Sequence, residues 1–274
     1  MRRAFPVVLV VATTLVVAFL VLPLAAIFLR VPPGDLVRAL GTDVARDALR
    51  VTLVTTLAAQ ALVLLVGTPA AYLLATRRFR GRDLVLTLVE LPLVLPPAVA
   101  GIGLLAAFGR VGLLGDELGA LGLSVAFTKL AVVLAVVFVA GPFYLRTAVA
   151  AFGALDGALV DASRTLGAGE GRTFFRIVLP LAAGGLGAGL ALSFSRGIGE
   201  FGATIMFAGS LQGVTQTLSL AVYEQFDVDF DTALAIGAEL VVVSAVLLLL
   251  VKVVPAWRRS TSTWPFPSAP STSS

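Results

Sequence analysis

Neither histidine nor cysteine occurs in the chain. Their absence removes thiolate and imidazole metal sites, disulfides, and any nucleophilic centre of the Cys/His or Ser/His/Asp kind. What remains for chemistry is charge set in apolar surroundings, as at Arg196, Glu200, Glu90 and Glu239. A charge inside a membrane span costs about 2.5 to 3.5 kcal/mol on insertion scales, so each one needs a reason. Arg196 and Glu200 are four residues apart, close enough on one helical face to pair. Two readings of that pair stay open. It is an internal ion pair that fixes packing, or it flanks the route of an anion that Arg196 attracts while Glu200 keeps binding from becoming too tight. Phe201 and Thr204 in the same run, with Glu90 and Pro96 upstream, complete the candidate path. The two lysines, Lys129 and Lys252, lack the preceding glycines of a phosphate loop. The sequence therefore offers no phosphate loop for nucleotide hydrolysis.

The elements that hold these residues are read from the apolar runs. The chain of 274 residues is 58% hydrophobic and 13% charged, with a mean hydropathy of +1.02. A soluble globule of this size could not be clothed with so little polar surface. Six stretches, Pro6 to Leu29, Val51 to Ala75, Leu84 to Phe108, Phe127 to Ala150, Leu181 to Phe207 and Thr232 to Val254, fit a bilayer that needs roughly 20 residues per helix. Helices are the expected form, since hydrocarbon leaves the backbone no outside partner. The fold class is therefore all-α, a polytopic membrane protein. The first stretch is longer than the apolar core of a secretory signal and is expected to stay as a helix. Pro92, Pro96 and Pro97 in the third predict a broken helix lining a cavity.

Basic residues set the orientation. Arg2 and Arg3, Arg77 to Arg82, Arg146 to Arg176, and Lys252 to Arg259 fall in alternate segments, which are expected on the cytoplasmic side with both termini. The loop holding Glu224, Asp227, Asp229 and Asp231 carries no Lys or Arg and points outward. The net charge of +4 is thus a topology signal, and no nucleic-acid partner is expected. The permease domain is placed at 1–256, and the Ser/Thr/Pro-rich remainder, 257–274, is expected to be a disordered cytoplasmic tail. Gly185 and Gly189 have the small-xxx-small spacing of a dimer seam or of a gate made from tightly packed helices.

The segment between the fourth and fifth spans, ALVDASRTLGAGEGRTFFRIVLPLAAGG, is too polar to cross a membrane. Leu159, Val160, Ala162 and Leu166, then Phe174, Phe175, Ile177 and Val178, predict two short helices with apolar faces. Gly167 and Gly169 permit the positive φ of a tight connection. Pro180 is expected to restart the chain at the mouth of the fifth span. A rim of Asp161, Arg164 and Arg172 would make such a unit a rigid lever.

Asp161, Ala162, Ser163, Gly167, Ile177, Leu179 and Pro180 together resemble the coupling motif of ABC importer permeases. That motif has an acidic residue, two small residues, a glycine four positions on and a later Ile-x-Leu-Pro. Asp161 stands where the family usually has Glu, and Ser163 where it usually has Ala; both swaps keep charge or size. The resemblance implies a type I ABC importer permease fold, with the loop at about 151–180 docking in a groove of a cytoplasmic ABC ATPase subunit. It implies no cofactor on this chain, with ATP used by that partner. It further implies an extracytoplasmic oxyanion-binding protein, a second permease copy forming a homodimer, and a prokaryotic plasma membrane. The runs GEFGATIMFAG, TQTLSLAVYE and LPLVLPPAVAGIGLLAAFGRVGLLG look like those of molybdate and tungstate permeases. A sulfate or thiosulfate permease of the same machinery is the near alternative, and an ion-coupled secondary transporter the alternative from another class.

Overall fold

A computed structural model describes residues 4–260 of the chain. Thirteen α-helices follow one another. They are α1 (Ala4–Arg30), α2 (Pro33–Leu40), α3 (Asp43–Thr76), α4 (Arg82–Glu90), α5 (Pro97–Phe108), α6 (Gly115–Ala120) and α7 (Lys129–Gly153), then α8 (Gly157–Thr165), α9 (Glu170–Thr173), α10 (Leu179–Ile198), α11 (Gly202–Ala208), α12 (Leu218–Phe226) and α13 (Phe230–Ser260). No strand occurs among the described residues. Of the tail expected at 257–274, residues 261–274 lie outside the described residues.

Among the described residues, five helical stretches are long and apolar enough to cross a membrane: Pro6–Arg30, Asp43–Thr76, Lys129–Gly153, Glu170–Ile198 and Phe230–Leu250. The third expected span is instead the pair Arg82–Leu93 and Pro97–Phe108, bent by 114°. Pro96 has an extended ψ of 132° and Pro97 opens α5, because proline cannot donate into the preceding turn and pushes its predecessor out of the helical region. The pair still makes one crossing. Arg77, at the end of α3, lies 3.6 Å from Glu170 beyond the end of α7, so those ends share a side. The chain must reach the opposite side between them, and α4 with α5 is the segment available.

The centre of the bundle is α3, α7 and α10. The stripe Gly185, Gly189, Ser193 and Gly197 along α10 recurs every four residues and faces α7 at close range. A Cβ added at Gly185 would run into that of Ala151, one at Gly189 would stand 3.0 Å from Thr147 Cβ, and one at Gly197 would stand 2.8 Å from Val136 Cγ1. This small-residue face is thus occupied inside the chain. Tyr144, fully buried on α7, shares a 2.6 Å hydrogen bond with Thr68 of α3. By contrast α1 is apolar on every side, and no residue of its span is buried, as expected for a helix solvated by lipid.

The fifth expected span also differs. It was expected to run unbroken from Leu181 to Phe207, but α10 stops at Ile198 and α11 starts at Gly202. Glycines at 197, 199 and 202 remove side chains that would propagate the helix. At its other end Pro180 does not restart the chain. Helix continues from Glu170 through a π-turn at Phe174–Val178 into α10. The Leu179 N–H reaches back five residues to the Phe174 carbonyl, and this wider turn is how a helix carries a residue without an N–H.

Candidate functional site

The two broken helices meet. A Cβ on Gly202 would lie 2.9 Å from Pro97 Cβ, and one on Gly101 would lie 2.6 Å from the Ala203 carbonyl oxygen and 2.8 Å from Met206 Cβ. The start of α11 therefore rests against the start of α5, with Pro96, Phe201 and Thr204 gathered there. Gly101→Ala is expected to force α5 away from α11, because backbone atoms cannot yield as a flexible side chain would. A loss of about 1 to 3 kcal/mol is expected from overpacking. Thermal unfolding in detergent checks this, with Gly103→Ala as the control, since a Cβ there meets open space.

Arg196 and Glu200 form the ion pair expected from their spacing, with Nη1 and Oε2 2.6 Å apart. The Glu200 side chain is 1% exposed and that of Arg196 32%. Glu200 Oε1 also accepts a 2.8 Å hydrogen bond from the Ala203 N–H, and its backbone carbonyl accepts one from Ser219 Oγ. Glu200 thus clasps the end of α10, the start of α11 and the start of α12. Both carboxylate oxygens are engaged, which makes Glu200 a fastening for the break, while the half-exposed Arg196 keeps the contact with the surroundings. Phe201 stacks on Tyr223, ring centroids 5.0 Å apart. Thr204 is fully buried and its hydroxyl has no partner among the described residues. Glu90 is not with this group. It faces Arg146 of α7 at 3.8 Å, near the end of the first half of the bent pair. Glu239 on α13 is buried, with one carboxyl oxygen unpartnered.

The segment after α7 folds as two short helices. Asp156 opens α8 by accepting the Ala158 N–H at 2.9 Å, a standard N-cap. Gly167, at φ +79°, closes it. The Gly167 N–H donates to the Arg164 carbonyl and the Ala168 N–H to the Ser163 carbonyl, at 2.9 and 3.1 Å, the paired bonds of a left-handed helix stop. Gly169 was expected to share the positive φ and does not; it sits at −67° as the residue before α9. Val160, Phe174 and Val178 pack inward on Tyr72 and Phe152. Leu159, Leu166 and Phe175 stay exposed.

Two contacts lock the helices of this unit together. Ser163 Oγ and Thr173 Oγ1 share a buried 2.9 Å hydrogen bond. Glu170 lies between Arg77, at 3.6 Å, and Arg164, at 3.9 Å. Asp161, Arg164, Glu170 and Arg77 line a cavity of about 340 Å³ between the unit and the end of α3. Ala162 is exposed beside it, Ile177 and Leu179 are half-buried in the π-turn and the first residue of α10, and Pro180 follows, exposed. Sequence reasoning found the loop but not these clamps, because Thr173 and Glu170 fall outside the motif. Ser163→Ala is expected to cost about 1 kcal/mol. A double-mutant cycle with Thr173→Val in thermal unfolding checks it, the coupling energy separating this bond from either side chain's own contribution.

The sequence profile of the family described as binding-protein-dependent transport system inner membrane component matches residues 67–259. The molybdenum transport system permease protein ModB of Mycobacterium bovis is 42% identical over 233 residues, 85% of this chain and 88% of that protein. The sulfate transport system permease protein CysT of Synechocystis is 32% identical over 254 residues, 91% of this chain and 89% of that protein. The crystal structure of a bacterial ABC transporter involved in alginate import contains a chain of the same fold, with a TM-score of 0.71 at 17% identity, covering 96% of this chain and 98% of that one.

Proposed function

The chain belongs to the family of binding-protein-dependent transport system inner membrane components, and we propose that it is the membrane-spanning permease of an ATP-driven importer carrying molybdate or tungstate inward. It is a multi-pass membrane subunit and not an enzyme. Hydrolysis belongs to a separate ATPase, and cargo is delivered by a binding protein on the far side. One observation supports the cargo: the 42% identity to a molybdenum permease spans most of both chains, against 32% and 36% for two sulfate permeases, the second over 203 residues. Family membership also displaces the ion-coupled secondary transporter.

In this reading α8 is the coupling helix. Its exposed Leu159 and Leu166, with Phe175 close by in sequence, offer an apolar face to the ATPase, while Asp161, Ala162, Ser163, Arg164 and Gly167 set its shape. The continuous helix from Glu170 to Ile198, entered through Ile177, Leu179 and Pro180, carries motion 20 or more residues to the break at Glu200. The Glu170 bridge to Arg77 passes the same motion to α3. Arg196, Phe201, Thr204 and Pro96 then line the path, with Glu90 at its cytoplasmic end. A second copy completes the path as a homodimer, and both termini face the cytoplasm of a prokaryotic cell.

Uptake of labelled molybdate with sulfate as competitor tests the cargo, in vesicles holding this chain, its ATPase and its binding protein. Uptake that resists excess sulfate supports molybdate. Uptake blocked by sulfate keeps the machine and moves the cargo to sulfate.

A further inference from the structure

Buried polar groups in folded proteins are nearly always hydrogen-bonded, so an exception calls for a physical reason. Gln60 is such an exception. It stands in the run LAAQALVLLVG of α3, 5% exposed, and neither its Nε2 nor its Oε1 has a partner among the described residues. Its surroundings are apolar: Ala59, Val136 and Ala140 make a buried cluster beside it.

Its position is informative. A Cβ added to Gly197 would come within 3.5 Å of Gln60 Nε2, so the amide abuts the backbone of α10 one residue from its end. The groups next to it along the chain are engaged. The Gly197 carbonyl accepts from the Glu200 and Gly199 N–H groups, Arg196 is held by Glu200, and Glu200 Oε1 is held by Ala203. One turn earlier on the same face of α10, Ser193 Oγ is also fully buried and unpartnered. An unpaired amide therefore faces the end of α10 and an unpaired hydroxyl lies on that helix one turn earlier, close to where the chain breaks and helix-end carbonyls can change partners.

We propose that Gln60 is a positioning residue for translocation: its carboxamide is unpaired in this conformation and hydrogen-bonds the backbone of the α10–α11 break in the opposite-facing one. The inference rests on the reading of the chain as an ATP-driven permease. An orphaned amide makes one setting of the break less favourable and a paired amide makes the other more so, which gives the hinge two discrete states. Gly197 has no Cβ, so no side chain stands between the amide and the α10 backbone at that residue.

The test uses the complete complex with its ATPase and binding protein, reconstituted in nanodiscs, carrying Gln60→Leu. Between the nucleotide-free complex and the complex trapped with ADP and vanadate, the variant is expected to shift Tm in opposite directions by about 2 to 4 °C, upward in the state where the amide is unpaired and downward in the state where it is paired, and molybdate uptake is expected to fall about tenfold. Gln60→Met, unbranched and of similar length, repeats the measurement in case the leucine does not fit. Tm shifts that are not opposite in the two states, in both variants, overturn the inference, because the amide then does not change partners between them. Failure of the unsubstituted complex to take up molybdate with ATP counts against the function reading alone, and the pair of Tm shifts still decides whether the amide changes partners.

Discussion

Gly167→Val is expected to leave the chain inserted and the complex assembled, yet to lower ATP-coupled uptake by about tenfold or more, a deficit equivalent to roughly 1.4 kcal/mol of lost coupling. The φ of +79° at this position puts a Cβ too close to the following carbonyl, at roughly 1 to 2 kcal/mol for an ordinary residue and more for a β-branched one. A Cβ here meets nothing within 4 Å, so the effect is on backbone conformation alone and the membrane core is untouched. The bonds from Gly167 and Ala168 back to Arg164 and Ser163 would be given up, and α8 would lose its fixed angle to α9. Uptake and ATP hydrolysis measured on the same preparation separate the outcomes. Hydrolysis persisting while uptake falls is the expected result; normal uptake would remove α8 from the coupling role.

Glu200→Leu is expected to be strongly destabilising, at about 1 to 3 kcal/mol for the buried Ala203 N–H left without an acceptor, with a smaller loss from the partly solvated Arg196. Two attachments are lost, and with them the clasp on the break between α10 and α11: the Arg196 guanidinium loses its counter-charge and the Ala203 N–H loses its acceptor. Glu200→Gln keeps an acceptor for Ala203 and is expected to lose less. Arg196→Glu sets a second carboxylate against the buried Glu200 across the end of α10, and is expected to impair both assembly and uptake. Thermal unfolding of the purified complex ranks the three. Glu200→Leu unfolding no earlier than Glu200→Gln would contradict the fastening role, and Arg196→Glu with native uptake would reduce Arg196 to packing.

Much of the architecture was legible because its causes are local. Long apolar runs bounded by arginines marked the spans, Pro92, Pro96 and Pro97 marked the bend in the third, and the four-residue spacing of Arg196 and Glu200 announced their bond. The break after Ile198 was missed because Gly197, Gly199 and Gly202 read equally well as helix-packing glycines; only the contact of Gly202 with Pro97 and of Gly101 with Ala203 distinguishes the two uses. The restart expected at Pro180 failed because a π-turn accommodates the proline without ending the helix. The Gly185 and Gly189 stripe was visible, but whether it met α7 or another copy depends on tertiary approach. In the unit of α8 and α9, the glycine stop at Gly167 was legible and the Ser163–Thr173 and Arg77–Glu170–Arg164 contacts were not, since each joins residues from different elements. Gln60 carried one signal, a lone amide in an apolar run, and its unpaired state appears only in the folded chain.

Uptake of labelled molybdate is the decisive measurement, made on vesicles that hold this chain with its binding protein and either an intact ATPase or one disabled in its phosphate loop, with ATP on the cytoplasmic face. Accumulation with the intact ATPase and none with the disabled one is predicted. Equal accumulation in both would contradict the account, since the lever formed by α8, the helix from Glu170 to Ile198 and the clasp at Glu200 would then have nothing to transmit.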